Sequence, residues 1–201
     1  GDSILNGNVT AGALNVTGAS AFQGGVTAGS INVTGASLFN NGFTSGSAYV
    51  TGESVFNGAV TAGSIAITGA ALLRIGVTAG SVNVTGASTF NNGFTAGSAF
   101  VTGDSVLNGN VTTGALNVTG VSILNIGITA GSFYVTGASN LIGYLNVSSP
   151  TALNGGVTAG CLNITGNSIL NGNVTAGALF ITGASVLNGT VTAGALFVTG
   201  S

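Results

Sequence analysis

The chain has 201 residues, is 45% hydrophobic and 2% charged, and carries 37 glycines, a single cation (Arg74), three acids and no His. That scarcity removes the usual general bases, Schiff-base amines and imidazole ligands, one Cys cannot build a zinc site, and one cation cannot track a phosphate backbone; no catalytic residue, metal ligand, cofactor, small-molecule substrate or nucleic-acid partner is expected. Gly, Thr, Asn or Ser interrupts the apolar residues every few positions, well short of the ~18 that cross a membrane, and the composition is neither that of a disordered chain nor that of collagen.

From Val9 the sequence divides into 17-residue units, beginning VTAGALNVTGASAFQGG and VTAGSINVTGASLFNNG. Further units start at Phe43, Val60, Val77, Phe94, Val111 and Ile128. The frame then breaks: LNVSSPTALNGG (145–156) matches the unit only from its sixth position, so five residues are missing, and Pro150 falls in this shortened stretch. The frame resumes at Val157, Val174 and Val191. Gly1 and Gly200 both occupy the tenth position of the unit, with Ser201 following, so the winding of one copy is expected to continue into the next. A longer period overlies the short one: Asp2, Glu53 and Asp104 recur every third unit. Three strand layers are about 14 Å, which keeps like charges apart.

Within each unit, apolar and polar residues alternate. Leu14 and Val16 fall on one face, Asn15 and Thr17 on the other. Period two with β-branched residues and Gly punctuation is the strand signature. A unit this short cannot bury its own apolar face, so copies must stack. The chain therefore reads as an all-β protein, a β-solenoid of about twelve 17-residue turns forming one repeat domain over 1–201, with an irregular shortened turn at 140–156. β-Arches stacked between molecules are the alternative. Val, Leu/Ile and Phe/Leu are expected inside, Thr ladders outside, and Gly at the corners, where positive φ is often needed.

Some outward positions carry apolar residues. The seventh position holds Tyr49, Phe100, Tyr134 and Phe180 among asparagines, and the thirteenth holds Leu38, Val55 and Ile123. On a surface with so little charge such stripes mark lateral contacts, unless a wide cross-section buries the thirteenth position. At the ends, Asp2, Ile4 and Leu5 and, opposite, Leu196, Phe197 and Val198 are the expected polymer contacts, because open strand edges template further strands. Cys161, where other units have Ala or Ser, is either a small niche filler or an intersubunit disulfide.

The repeat GNVTAGALNVTGASVLNGN, assembled from several units, resembles the repeat arrays of tail-fibre and adhesin shafts and, distantly, bactofilins, whose repeats are far more charged. The Gly/Ala/Thr/Val/Asn composition is similar to that of the amyloid-like sheath proteins of filamentous archaea. These resemblances imply a homopolymer: a self-assembling structural subunit of a sheath, filament or surface layer, extracellular and at the cell surface. A shaft segment of a tail fibre or adhesin, and an ice-binding protein using Thr/Asn ladders, are the other readings.

Overall fold

A computed structural model describes residues 2–125, 127–148 and 151–200; Gly1, Pro150 and Ser201, on which the phase of the ends and the break in the sheet were read, lie outside them. Among the described residues all regular structure is strand, in an alternation of eight-residue and three-residue segments: Ser3–Leu5, Val9–Val16, Ser20–Phe22, Val26–Val33 and so on to Val191–Val198. Every pairing is parallel, and through the first part of the chain residue i lies beside residue i+17, as in Val9↔Val26 and Val16↔Val33. The turns therefore stack within one chain, as a parallel β-solenoid of about 11 turns.

Each eight-residue strand makes two sides of the coil. In Val26–Val33 the residues Val26, Ala28, Ile31 and Val33 are buried, while Gly29 and Ser30 in succession are not. The in–out alternation slips by one there, which turns the strand around a two-residue corner. The three-residue strand supplies the third side, with Ser20 and Phe22 inward and Ala21 outward. Longer corners follow at 17–19 and 23–25. The cross-section thus has three faces, and the thirteenth position points outward at half-exposure and is not enclosed.

Like stacks on like in the core. Phe22, Phe39 and Phe56 form a column with ring centroids 4.6 and 5.1 Å apart and planes within 11°. Each such pair is worth about 0.5–1.5 kcal/mol beyond its buried area. Outside, Thr51 Oγ1 donates to the Thr34 carbonyl at 3.1 Å, and Thr68, Thr85, Thr102 and Thr119 repeat the bond. Side-chain amides form a second ladder: Asn57 Nδ2 donates to Asn40 Oδ1 at 2.9 Å, and Asn108 Nδ2 to Asn91 Oδ1 at 3.0 Å.

The corner glycines have a different cause from the one expected. No described residue has positive φ. Instead, the backbones of successive turns approach too closely for a side chain. A Cβ on Gly29 would lie 2.6 Å from the carbonyl oxygen of Gly12, and one on Gly35 would lie 2.4 Å from that of Gly18. The requirement is steric and comes from the turn beneath.

The shortened unit does not make a defective turn; it changes which face each part of the repeat occupies. Ile128–Val135 begins on one face, and its first side is followed in that column by 145–147 (Ile128↔Leu145) and then 162–164 (Leu145↔Leu162). A side from the start of the repeat is thus continued by sides from its middle. Likewise Phe133 pairs with Thr151, and Ser139 with Val157. The five absent residues amount to one side and its two-residue corner. Removing them leaves each column of sides continuous and rotates the repeat by one face. The misfit is local: three residues, 142–144, pass over the two-residue corner 160–161, and the register slips between Leu141 and Tyr144 as a bulge. The expected twelve turns counted the missing side, a third of a turn, as present; without it the coil makes 11 full turns and two further sides.

Candidate functional site

The features that stand out are the two strand edges and the outward stripes. At the first edge Ser3–Leu5 and Val9–Val16 pair on one side only, with Ser20–Phe22 and Val26–Val33. At the other, Ser185–Leu187 and Val191–Val198 pair only with Ser168–Leu170 and Val174–Ile181. Core positions are uncovered as a result. Leu179 is fully buried, whereas Leu196, its neighbour in the same column, is 56% exposed. Phe197 and Val198 are exposed with it, Ile4 is 72% exposed, and Leu5 is half-buried against the core. Asp2 is exposed, and its Oδ1 accepts the Ala19 backbone N–H at 3.2 Å. Asp104 binds the Val121 N–H in the same way at 3.1 Å. These acids therefore tie a corner to the next turn.

The edges are also bare of steric obstacles. A Cβ on Gly7 or Gly12 would meet nothing within 4 Å, although the equivalent Gly24 and Gly29 one turn further in abut backbone at 2.5 and 2.6 Å. The first edge is thus an unfilled layer of the same lattice.

The seventh-position aromatics do not form one stripe. Tyr49, Phe100 and Tyr134 point outward on a single face, 46%, 40% and 43% exposed. Phe180 lies elsewhere, in the column of 128–130 and 145–147, because the frame shift has moved its part of the repeat to the face that carries Thr10 to Thr129. Below Tyr134 its own face continues with Ala152, Ile169 and Val186, and together they line a shallow groove of about 620 Å³. Tyr134 Oη accepts a hydrogen bond from Asn154 Nδ2 at 3.0 Å, which begins a new amide ladder through Asn171 and Asn188. A second groove runs along the thirteenth position between Glu53 and Ile123, with Val55, Leu72 and Val106 in its lining.

Sequence reasoning did not single out Ile142 and Tyr144, both exposed in the irregular turn. The Tyr144 ring covers Gly127 so closely that a Cβ there would lie 2.1 Å from it. The break in the 17-residue frame was the available signal. Cys161 is a free thiol at the two-residue corner, half-buried and paired in register with Tyr144. Among the described residues no three His, Cys, Asp or Glu side chains gather into a metal-binding group, and no helix is long and apolar enough to cross a membrane. No family model, curated protein or solved structure matches the chain.

Proposed function

We propose that the chain is a self-assembling structural subunit of an extracellular sheath, filament or surface layer, which polymerises with copies of itself by stacking strand edge on strand edge. The observation that carries this reading is the complementarity of the two edges. Each presents three sides of the same repeat, with unpaired backbone groups and uncovered Leu, Val and Ala side chains. Burying them on another copy gains about 25 cal/mol per Å² of apolar area and pairs backbone groups otherwise left to water. With a formal net charge of −2, little repulsion opposes association. The stripes of Tyr49, Phe100 and Tyr134 and of the thirteenth position supply lateral contacts between rods. The composition supports the extracellular setting by its likeness to sheath and shaft repeats.

The face that carries Thr10 to Thr129 is less suited to ice. After Thr129 it continues with Asn146, Asn163, Phe180 and Phe197, so no single plane carries threonine throughout. Negative-stain microscopy and X-ray fibre diffraction of the purified chain test the assembly. Unbranched polymers with an axial reflection near 4.8 Å are expected. A protein that stays monomeric at high concentration would overturn the reading.

A further inference from the structure

We propose that in polymers formed by this 201-residue chain successive copies are rotated by one face of the solenoid, so that equivalent surfaces realign only at every third copy. The inference rests on the end-stacking reading above and specifies its junction. Because the frame shifts inside the chain, the two edges present the same repeat on different faces. At the first edge Ser3–Leu5 heads the column that ends, at the other edge, in 191–193. The column headed by 9–11 ends in 196–198, and the one headed by 14–16 ends in Ser185–Leu187.

Three faces allow three ways to dock a second copy; with Ser3–Leu5 on 196–198, the two-residue corner 12–13 would lie over the three-residue corner 188–190. Without rotation, Ser3–Leu5 of the incoming copy lies on 191–193 and 9–11 lies on 196–198. The three-residue corner 6–8 then passes over the two-residue corner 194–195. That is the mismatch found at 142–144 over 160–161, where the ladder bulges. With a rotation of one face, Ser3–Leu5 lies on Ser185–Leu187, 9–11 on 191–193 and 14–16 on 196–198. The corners 6–8 and 12–13 then match in length the corners 188–190 and 194–195 beneath them. Leu5 covers Leu187, Val9 covers Val191, Leu14 covers Leu196 and Val16 covers Val198, which repeats the like-on-like columns of the interior. The glycine seam continues as well. Gly12 meets Gly194 and Gly7 meets Gly189, and the absence of a Cβ at Gly7 and Gly12 leaves room for the close backbone approach seen one turn inward. Each junction adds the same rotation, so three subunits close the cycle.

Electron cryomicroscopy of the polymers tests this, with the lone thiol of Cys161 labelled by a gold–maleimide to mark each subunit. The expected rise is about 56 Å per subunit and the expected surface repeat about 170 Å, at ~4.8 Å per layer. Gold should step by a third of a turn at each subunit, on top of the solenoid's own twist, and the ladder should run unbroken across junctions. A second chain sharpens the test. Inserting Val-Thr-Ala-Gly-Ser between Tyr144 and Leu145 restores the 17-residue frame and removes the internal rotation. Its polymers should realign at every subunit, about 58 Å. Wild-type polymers with unrotated subunits or a broken ladder overturn the inference while leaving end stacking in place, as does an insertion polymer that keeps the threefold cycle. Wild-type chains that form no polymer overturn the end-stacking reading and this inference together. The wild-type result stands alone if the insertion chain does not fold.

Discussion

Interior and terminal turns are built from the same residues and differ only in having a neighbour on both sides. Leu179 and Leu196 occupy one column, yet one is fully buried and the other 56% exposed. Gly29 and Gly12 occupy one corner, yet only Gly29 is forced to be glycine by a backbone 2.6 Å from its would-be Cβ. Burial and glycine dependence therefore come from the adjacent turn and not from the residue's own conformation. In a solenoid most stability lies in such nearest-neighbour interfaces.

Substitutions can break or sharpen that contrast. The largest effect is expected in the aromatic column. Phe39→Ala removes a ring stacked on both sides and should cost about 3–5 kcal/mol, read as a lowered midpoint of denaturant unfolding. The equivalent change at exposed Phe197 should leave the midpoint of the monomer nearly unchanged. Next come the corners. Gly35→Ala drives a Cβ into the Gly18 carbonyl and should cost about 1–3 kcal/mol, whereas Gly12→Ala should be neutral or slightly stabilising in the monomer. Equal effects at the two sites would show that the glycines serve backbone conformation after all. A smaller loss, about 0.5–1.5 kcal/mol, is expected for Asn108→Ala, whose amide bonds Asn91 and Asn125. The smallest change should follow Ser105→Ala. Ser105 is buried, and its Oγ has no hydrogen-bond partner in the protein. Ala71 already fills the same place in another turn. A gain of up to about 1 kcal/mol in thermal unfolding is expected, and a clear loss would mean that the serine column has partners of its own.

Much of this architecture was legible in the sequence because a solenoid repeats each local rule at a fixed spacing. The alternation in Val9–Val16 gave the strand, and the 17-residue spacing gave the register Val9↔Val26. Thr10 and Thr17 were assigned outward from the same alternation, and they are exposed. Three things were not legible. The slip at Gly29 and Ser30 makes one strand into two sides, and propensity does not signal a corner inside an unbroken strand. The glycine requirement depends on distances between turns. Above all, the missing five residues were visible as a gap, but their effect on which residues share a face depends on five being one side plus its corner. That effect separates Phe180 from Tyr49, Phe100 and Tyr134, which sequence spacing alone placed together.

Assembly is tested most directly at Gly12. The residue has open space where its Cβ would be, so Gly12→Ala should fold with the same unfolding midpoint as the wild type. In a stacked polymer the same methyl group would meet the Gly194 carbonyl of the next copy, as a Cβ on Gly29 would meet Gly12. Sedimentation velocity on both proteins over a range of concentrations compares them. The account predicts large, concentration-dependent polymers for the wild type and a folded monomer for Gly12→Ala. Polymers of equal size from both proteins would contradict assembly through the strand edges.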